Sequence, residues 1–342
     1  MAPHKVHLCG SIGLDSVDDV LATLGRLLKD NLARVPDGEP GGRRLWIGWQ
    51  YPVLRSSPYL EVENAAGSGH SKSAQLKVRD GMTGAVRFGE LGYAREARAS
   101  YEDFVRARRA GALRPDARFQ VSLPTPFAIV SSYIAADARP QVEPAYEAAM
   151  LREVERMCAA IPHRDLCVQW DVCTETIMLD GRDTRMRPVP GMRELFSERF
   201  ARLAAGVPSG VELGFHLCYG DFEGRHFIEP IDTAKLVEMT ALMLAAAQRP
   251  VAYVHMPVPI ARSDDAYFAP LAQLERPPGT ELYLGLLHLG DGVEGASARI
   301  AAAERHVGDF GIAAECGLGH WARPELVERM LELHAAVANR AG

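Results

Sequence analysis

The chain has 342 residues, a formal net charge of -6 at pH 7, and 47% apolar and 24% charged residues. These are the proportions of a folded protein with a sizeable core, which excludes wholesale disorder. Arg and Glu are interleaved without a basic stripe, so nucleic acid is not an expected partner, and no run approaches the ~20 apolar residues of a membrane span.

The N-terminus MAPHKVHLCGSIG lacks the basic and apolar regions of a secretory signal, and a cytoplasmic location is expected. The six cysteines, Cys9, Cys158, Cys167, Cys173, Cys218 and Cys316, are scattered without the dense spacing of a disulfide scaffold. Reduced thiols follow, and each is a buried hydrophobe, a catalyst or a metal ligand.

Taken in chain order, strand-length apolar runs read VHLCGSI at 6 to 12, LARVPDG at 32 to 38, FQVSLPT at 119 to 125 and LCVQWDV at 166 to 172. The second half adds VELGFHLC at 211 to 218, VAYVHMP at 251 to 257, LYLGLLHL at 282 to 289 and FGIAAEC at 310 to 316. Between them lie stretches such as VDDVLATLGRLLKD and AKLVEMTALMLAAAQ, whose apolar residues recur at helical spacing. The alternation predicts an α/β fold, a single (β/α)8 barrel of the TIM type over residues 1–342. An open doubly wound sheet is the alternative, but GSIGLD after the first run lacks the G-x-G-x-x-G dinucleotide fingerprint. Residues 48–100, Gly- and Ser-rich at AAGSGHSKS, are expected to form a lid or loop insertion after the second strand, or to contain a hairpin.

In barrels the chemistry gathers at the C-terminal ends of the strands. Those ends carry His216-Leu217-Cys218, His255, His288, Glu315-Cys316 and Asp171, with Ser11 and Glu39 after the first two strands. Residues two apart point to the same side of a strand, so His216 and Cys218 can reach one ion, and Cys316 opens onto the same mouth. Thiolate and imidazole suit Zn2+, and three protein ligands leave a position for a substrate. A buried His beside a buried Cys is the bland alternative. His255 can be a fourth ligand, a hydrogen-bonding partner of the ligands or a substrate contact, and His288 can act as a general acid.

HLCYGDFEGRHFIEPI and ECGLGHW resemble the zinc-binding segments of the catalytic domain of cobalamin-independent methionine synthase, in the barrel superfamily of uroporphyrinogen decarboxylase. CGSIG, DGEPGGR, QWD and LLHLGDG resemble further segments of that family, in the same order. The resemblance implies that His216, Cys218 and Cys316 bind zinc. It also implies that Ser11, Glu39, Trp170 and Asp171 line a pocket for an amino-acid-like thiol, with the carboxylates facing its ammonium group. Asp171 and His288 would serve catalysis, His288 as proton donor. The chain departs from the family at His255, where the synthases carry a zinc-binding glutamate, and no counterpart of their N-terminal half-barrel is expected within these 342 residues. The implied activity is transfer of a methyl or alkyl group to or from a small-molecule thiol. A C-S lyase, a metal-free decarboxylase and a non-catalytic zinc- and thiol-binding protein are the alternatives.

Overall fold

In the computed structural model, which describes residues 4–63, 74–220, 225–321 and 323–340, seven of the eight predicted runs form strands of one parallel sheet. In chain order the strands are β1 (Arg34–Pro36), β2 (Leu60–Val62), β3 (Leu76–Val78), β4 (Arg118–Pro124), β5 (Leu166–Val172) and β6 (Glu212–Leu217). Then come β7 (Tyr253–Pro257), β8 (Glu281–Leu287) and β9 (Gly311–Ala314). The sheet runs β1-β4-β5-β6-β7-β8-β9 with helices in the crossovers, and it is curled. Both faces of such a sheet are covered, and β5 and β7 are buried at every position, the polar Gln169, Asp171 and His255 included.

The eighth run, residues 6 to 12, forms no regular strand. It lies between the sheet's two edges and makes isolated parallel bridges, Val6 with Leu32 and Ile312, Ser11 with Gly38, and Ile12 with Leu318. The backbone bonds are His7 N to Ile312 O at 3.0 Å, Ile12 N to Gly38 O at 2.8 Å and Leu318 N to Ser11 O at 2.7 Å. Gly10, at φ 141°, interrupts the extended run; a Cβ there would stand 2.8 Å from Glu39 Oε1 and 2.9 Å from Ser122 Oγ.

The helices cover the outer face. Helix Val17–Leu28 starts at Ser16, whose hydroxyl accepts from Asp19 N at 3.1 Å, and it buries Val20, Leu21, Leu24 and Leu28 on one face. Each such side chain contributes about 1.5–3 kcal/mol of apolar transfer energy. The insertion between β1 and β4 is more ordered than its composition suggests: it holds helix Gln50–Arg55, the antiparallel β2–β3 hairpin and helix Tyr93–Arg109. AAGSGHSKS itself lies outside the described residues. Among the described residues no helix is long and apolar enough to cross a membrane.

Register places the polar residues in rows across the concave face. Asp171 of β5 pairs with His216 of β6, which pairs with His255 of β7. One level below, Gln169 donates to Cys9 O at 2.7 Å and accepts from Tyr253 Oη at 2.8 Å, tying β5 and β7 to the 6 to 12 segment across the interior. These buried amides and hydroxyls are paired, as a polar interior requires.

Candidate active site

His216 sits one residue before the end of β6 and Cys218 one residue beyond it, so the two project to the same side. Cys316 follows the end of β9 by two residues. The fold brings the three together: Cys218 Sγ lies 3.6 Å from Cys316 Sγ, and Cys316 Sγ lies 3.6 Å from His216 Nε2. Their ligand atoms all fall within 4.8 Å of one another. A tetrahedral zinc with Zn–S near 2.3 Å and Zn–N near 2.0 Å sets its ligands about 3.8 Å (S to S) and about 3.6 Å (S to N) apart. The side chains already stand at those separations, and their soft donor set fits the ion.

The turn after β6 supports this arrangement. Gly220, at φ 83°, turns its N–H onto Cys218 Sγ at 3.2 Å, and Phe227 packs where a Cβ would lie, 2.0 Å from its Cδ2. An N–H aimed at sulfur stabilises the thiolate. The Cys218 thiol is nonetheless held well above its ordinary pKa, first by its hydrogen bond with Cys173, while contacts with Cys316 and Gly220 pull it down.

His255 does not join Cys218 and Cys316. It forms a second group with Cys9 and His216. Its Nδ1 lies 2.7 Å from His216 Nδ1, and its Nε2 lies 3.0 Å from the Ala314 carbonyl oxygen. Two nitrogens on one tetrahedral zinc would stand about 3.3 Å apart, so 2.7 Å is a hydrogen-bond distance. In this arrangement His255 contacts the far side of His216 rather than the Cys218 and Cys316 thiols. Burial holds His216 well below the usual histidine range, with His255 adding to the effect, and pushes His255 down to about 3.

Beside the three ligand atoms opens a cavity of about 470 Å³. Its walls include Cys9, Cys173 and Ser11 near the cluster, and Glu39, Asp171 and Trp46. Asp171 accepts from Gln169 Nε2 at 2.8 Å and from Trp46 Nε1 at 3.1 Å. Burial raises Asp171 to about 7, and burial together with Asp171 and Asp37 raises Glu39 well above the carboxylate range. Asp37 is neutralised by Arg43 at 2.8 Å. Among the described residues neither Glu39 nor Asp171 has a cation within ion-pair distance. Glu39 also holds φ at 52°, a strained conformation for a residue with a Cβ. Ser11 Oγ accepts from Gly319 N at 3.3 Å, which fixes it at the cavity rim.

Two residues expected at the site lie away from the cavity wall. Trp170 is fully buried and is not on the cavity wall. Successive strand residues face opposite sides, so with Gln169 and Asp171 turned inward, Trp170 faces the helices. His288 also lies off the wall: its Nε2 donates to Val258 O at 2.8 Å and its Nδ1 stands 3.5 Å from Glu315 Oε2. Burial and the nearby Arg299 guanidinium push His288 down to about 4, which makes it a poor proton donor at neutral pH.

Three of the wall residues not expected from the sequence bear on the site. Cys9 shares its side of the 6 to 12 segment with Ser11, two positions on, which strand alternation could have flagged. Cys173 follows the β5 end. Trp46 carries no local signal, because only the tertiary fold carries its indole to Asp171.

No protein-family model and no curated protein matches the chain. Solved structures do. One is a provisionally assigned vitamin-B12-independent methionine synthase from Listeria monocytogenes, with TM-score 0.64 and 15% identity, covering 100% of this chain and 99% of that one. Another is a B12-independent methionine synthase from Shewanella sp. W3-18-1 in complex with selenomethionine, with TM-score 0.63 and 11% identity, covering 100% and 98%. The fold is methionine-synthase-like. At these identities the likeness is one of fold.

Proposed function

We propose that the chain is a zinc-dependent transferase that moves a methyl or alkyl group to or from the sulfur of a small thiol. The observation that carries this reading is the spacing of His216, Cys218 and Cys316, close to that of a tetrahedral zinc's ligands, on the wall of a cavity that also holds the carboxyl groups of Glu39 and Asp171. The methionine-synthase-like fold supports it. In the same reading, residues 6 to 12 stand in place of the eighth strand of a (β/α)8 barrel over residues 1–342, and the 48–100 insertion is the lid that contributes Trp46 just ahead of it.

His216, Cys218 and Cys316 would hold zinc with one position open to the cavity. When bound there, zinc supplies the Lewis acidity that lets a thiol ionise near neutral pH. The chain's own groups do the rest. Buried Asp171 and half-buried Glu39, among the described residues without a cation at ion-pair distance, are matched to the ammonium group of an amino-acid-like thiol, whose arrival relieves the cost of holding two acids there. Trp46 and Gln169 orient Asp171, and Ser11 offers a hydroxyl at the rim. As the sulfur's electron pair forms the new S–C bond, the old bond to carbon breaks and its pair stays on the leaving atom. The proton that the thiol loses on ionising balances the one that the leaving atom takes up. The enclosing walls exclude water that would compete for the alkyl group.

Metal analysis tests the proposal. The purified protein is expected to hold close to one equivalent of zinc, and Cys218→Ser to lose most of it together with alkyl transfer. A wild-type protein that takes up no zinc, or a Cys218→Ser variant with unchanged metal content and activity, contradicts it.

A further inference from the structure

The two imidazoles at the centre of the sheet form a directional chain. The Ala314 carbonyl can only accept, so the 3.0 Å contact requires a proton on His255 Nε2. His255 is fully buried, and among the described residues no carboxylate reaches it, so its ring is neutral and carries that one proton. Its Nδ1 is then a lone pair. The 2.7 Å contact can be a hydrogen bond only if His216 Nδ1 donates into it. With its single proton on Nδ1, His216 has its lone pair on Nε2, the atom 3.6 Å from Cys316 Sγ. The Cys9 thiol lies 3.8 Å and 3.9 Å from the two His255 nitrogens and 3.9 Å from Ala314 O; as a weak S–H donor toward the Nδ1 lone pair or the carbonyl it acts in the same direction as the chain.

We propose that His255 is a positioning residue: it fixes the tautomer and orientation of His216 so that the Nε2 lone pair faces Cys218 and Cys316, ready for a metal ion. Ala314 is the last residue of β9, two positions before Cys316, so the segment that delivers one ligand also sets the tautomer of another. A carbonyl or carboxylate commonly accepts the outer N–H of a ligating histidine directly. Here a second histidine is interposed between that N–H and the carbonyl. The consequence for metal binding rests on the zinc reading above, but the hydrogen-bond chain does not.

The test separates the two. In metal-free wild-type protein labelled with 15N-histidine, long-range proton–nitrogen spectra should show His216 protonated at Nδ1 and His255 at Nε2; the opposite tautomers overturn the proposal. Zinc affinity by chelator competition, with the absorption spectrum of the cobalt-substituted protein, then reads the consequence. His255→Phe should weaken metal binding on the order of ten- to a hundredfold and alter the cobalt spectrum. His255→Gln, whose amide offers a donor and an acceptor side by side, should restore most of the affinity. A His255→Phe variant that binds as tightly as wild type, or a His255→Gln variant as damaged as His255→Phe, overturns the proposal. A wild-type protein that binds no zinc defeats the zinc reading instead, and the tautomers still decide the role of His255.

Discussion

The two ends of the parallel sheet handle buried charge in opposite ways. At the N-terminal ends of the strands, Arg34 bonds Glu212 at 2.6 Å and Glu281 at 2.7 Å and lies over the Tyr253 ring, while Arg118 reaches Glu212 at 3.0 Å. Each cation there meets an anion. At the C-terminal ends, Asp171 is buried and Glu39 half-buried beside a cavity, among the described residues neither is within ion-pair distance of a cation, and thiols crowd against an imidazole. The first arrangement lowers the energy of the folded chain alone, whereas the second is stabilised only when something binds. That asymmetry is the pattern a binding site would show, because buried acids without a counter-ion cost stability unless a ligand completes them.

Substitutions at the two ends should therefore separate stability from binding. The largest stability effect is expected at the paired end. Arg34→Met leaves two carboxylates without their shared cation and should cost on the order of 2–3 kcal/mol in denaturant unfolding, below the figure for a fully buried pair because Glu212 and Glu281 are 27% and 25% exposed. Its zinc content should not change. If metal binding falls in proportion to stability, the two ends are not independent.

Asp171→Asn should do the reverse. Because its folded pKa is raised, Asp171 contributes stability at low pH that is lost as pH rises from about 4 through about 7. Removing the charge should stabilise the ligand-free protein at pH 8 by about 1–3 kcal/mol and flatten the pH dependence of its melting temperature. Binding of an amine-bearing thiol, strengthening through pH 7 in the wild type, should weaken. A destabilised variant would mean that Asp171 is paired in solution.

The smallest effect is expected from Trp46→Phe, which removes one hydrogen bond to Asp171 and should cost about 1 kcal/mol. By removing a bond to the charged form it should move the Asp171 titration upward. A pH profile identical to wild type would show that Trp46 contributes packing alone.

Much of this asymmetry was legible in the sequence, and where it was not the reasons are physical. Local apolar runs located the strands because a doubly covered parallel strand is apolar on both faces; the 6 to 12 run misled because Gly10 interrupts its pairing. His216 and Cys218 were legible because two-residue spacing sets a common side, and Cys316 because strand ends share one mouth. That same two-residue rule, applied to Gln169 and Asp171, excludes Trp170 from the wall. Trp46 near Asp171 and the contact of His255 with Ala314 depend on how distant segments meet, and no spacing in the chain encodes them. His288 was assigned from its place at a strand end and then by resemblance, neither of which carries the buried surroundings that set its pKa.

The central claim is that two thiolates and one imidazole hold an ion with a position left open to a thiol. Zinc-edge X-ray absorption of the loaded protein, before and after a small thiol is added, tests it most directly. The account predicts two sulfurs at about 2.3 Å and one nitrogen at about 2.0 Å, with a third sulfur after addition. A shell of nitrogen and oxygen alone, or one that a thiol leaves unchanged, would contradict it.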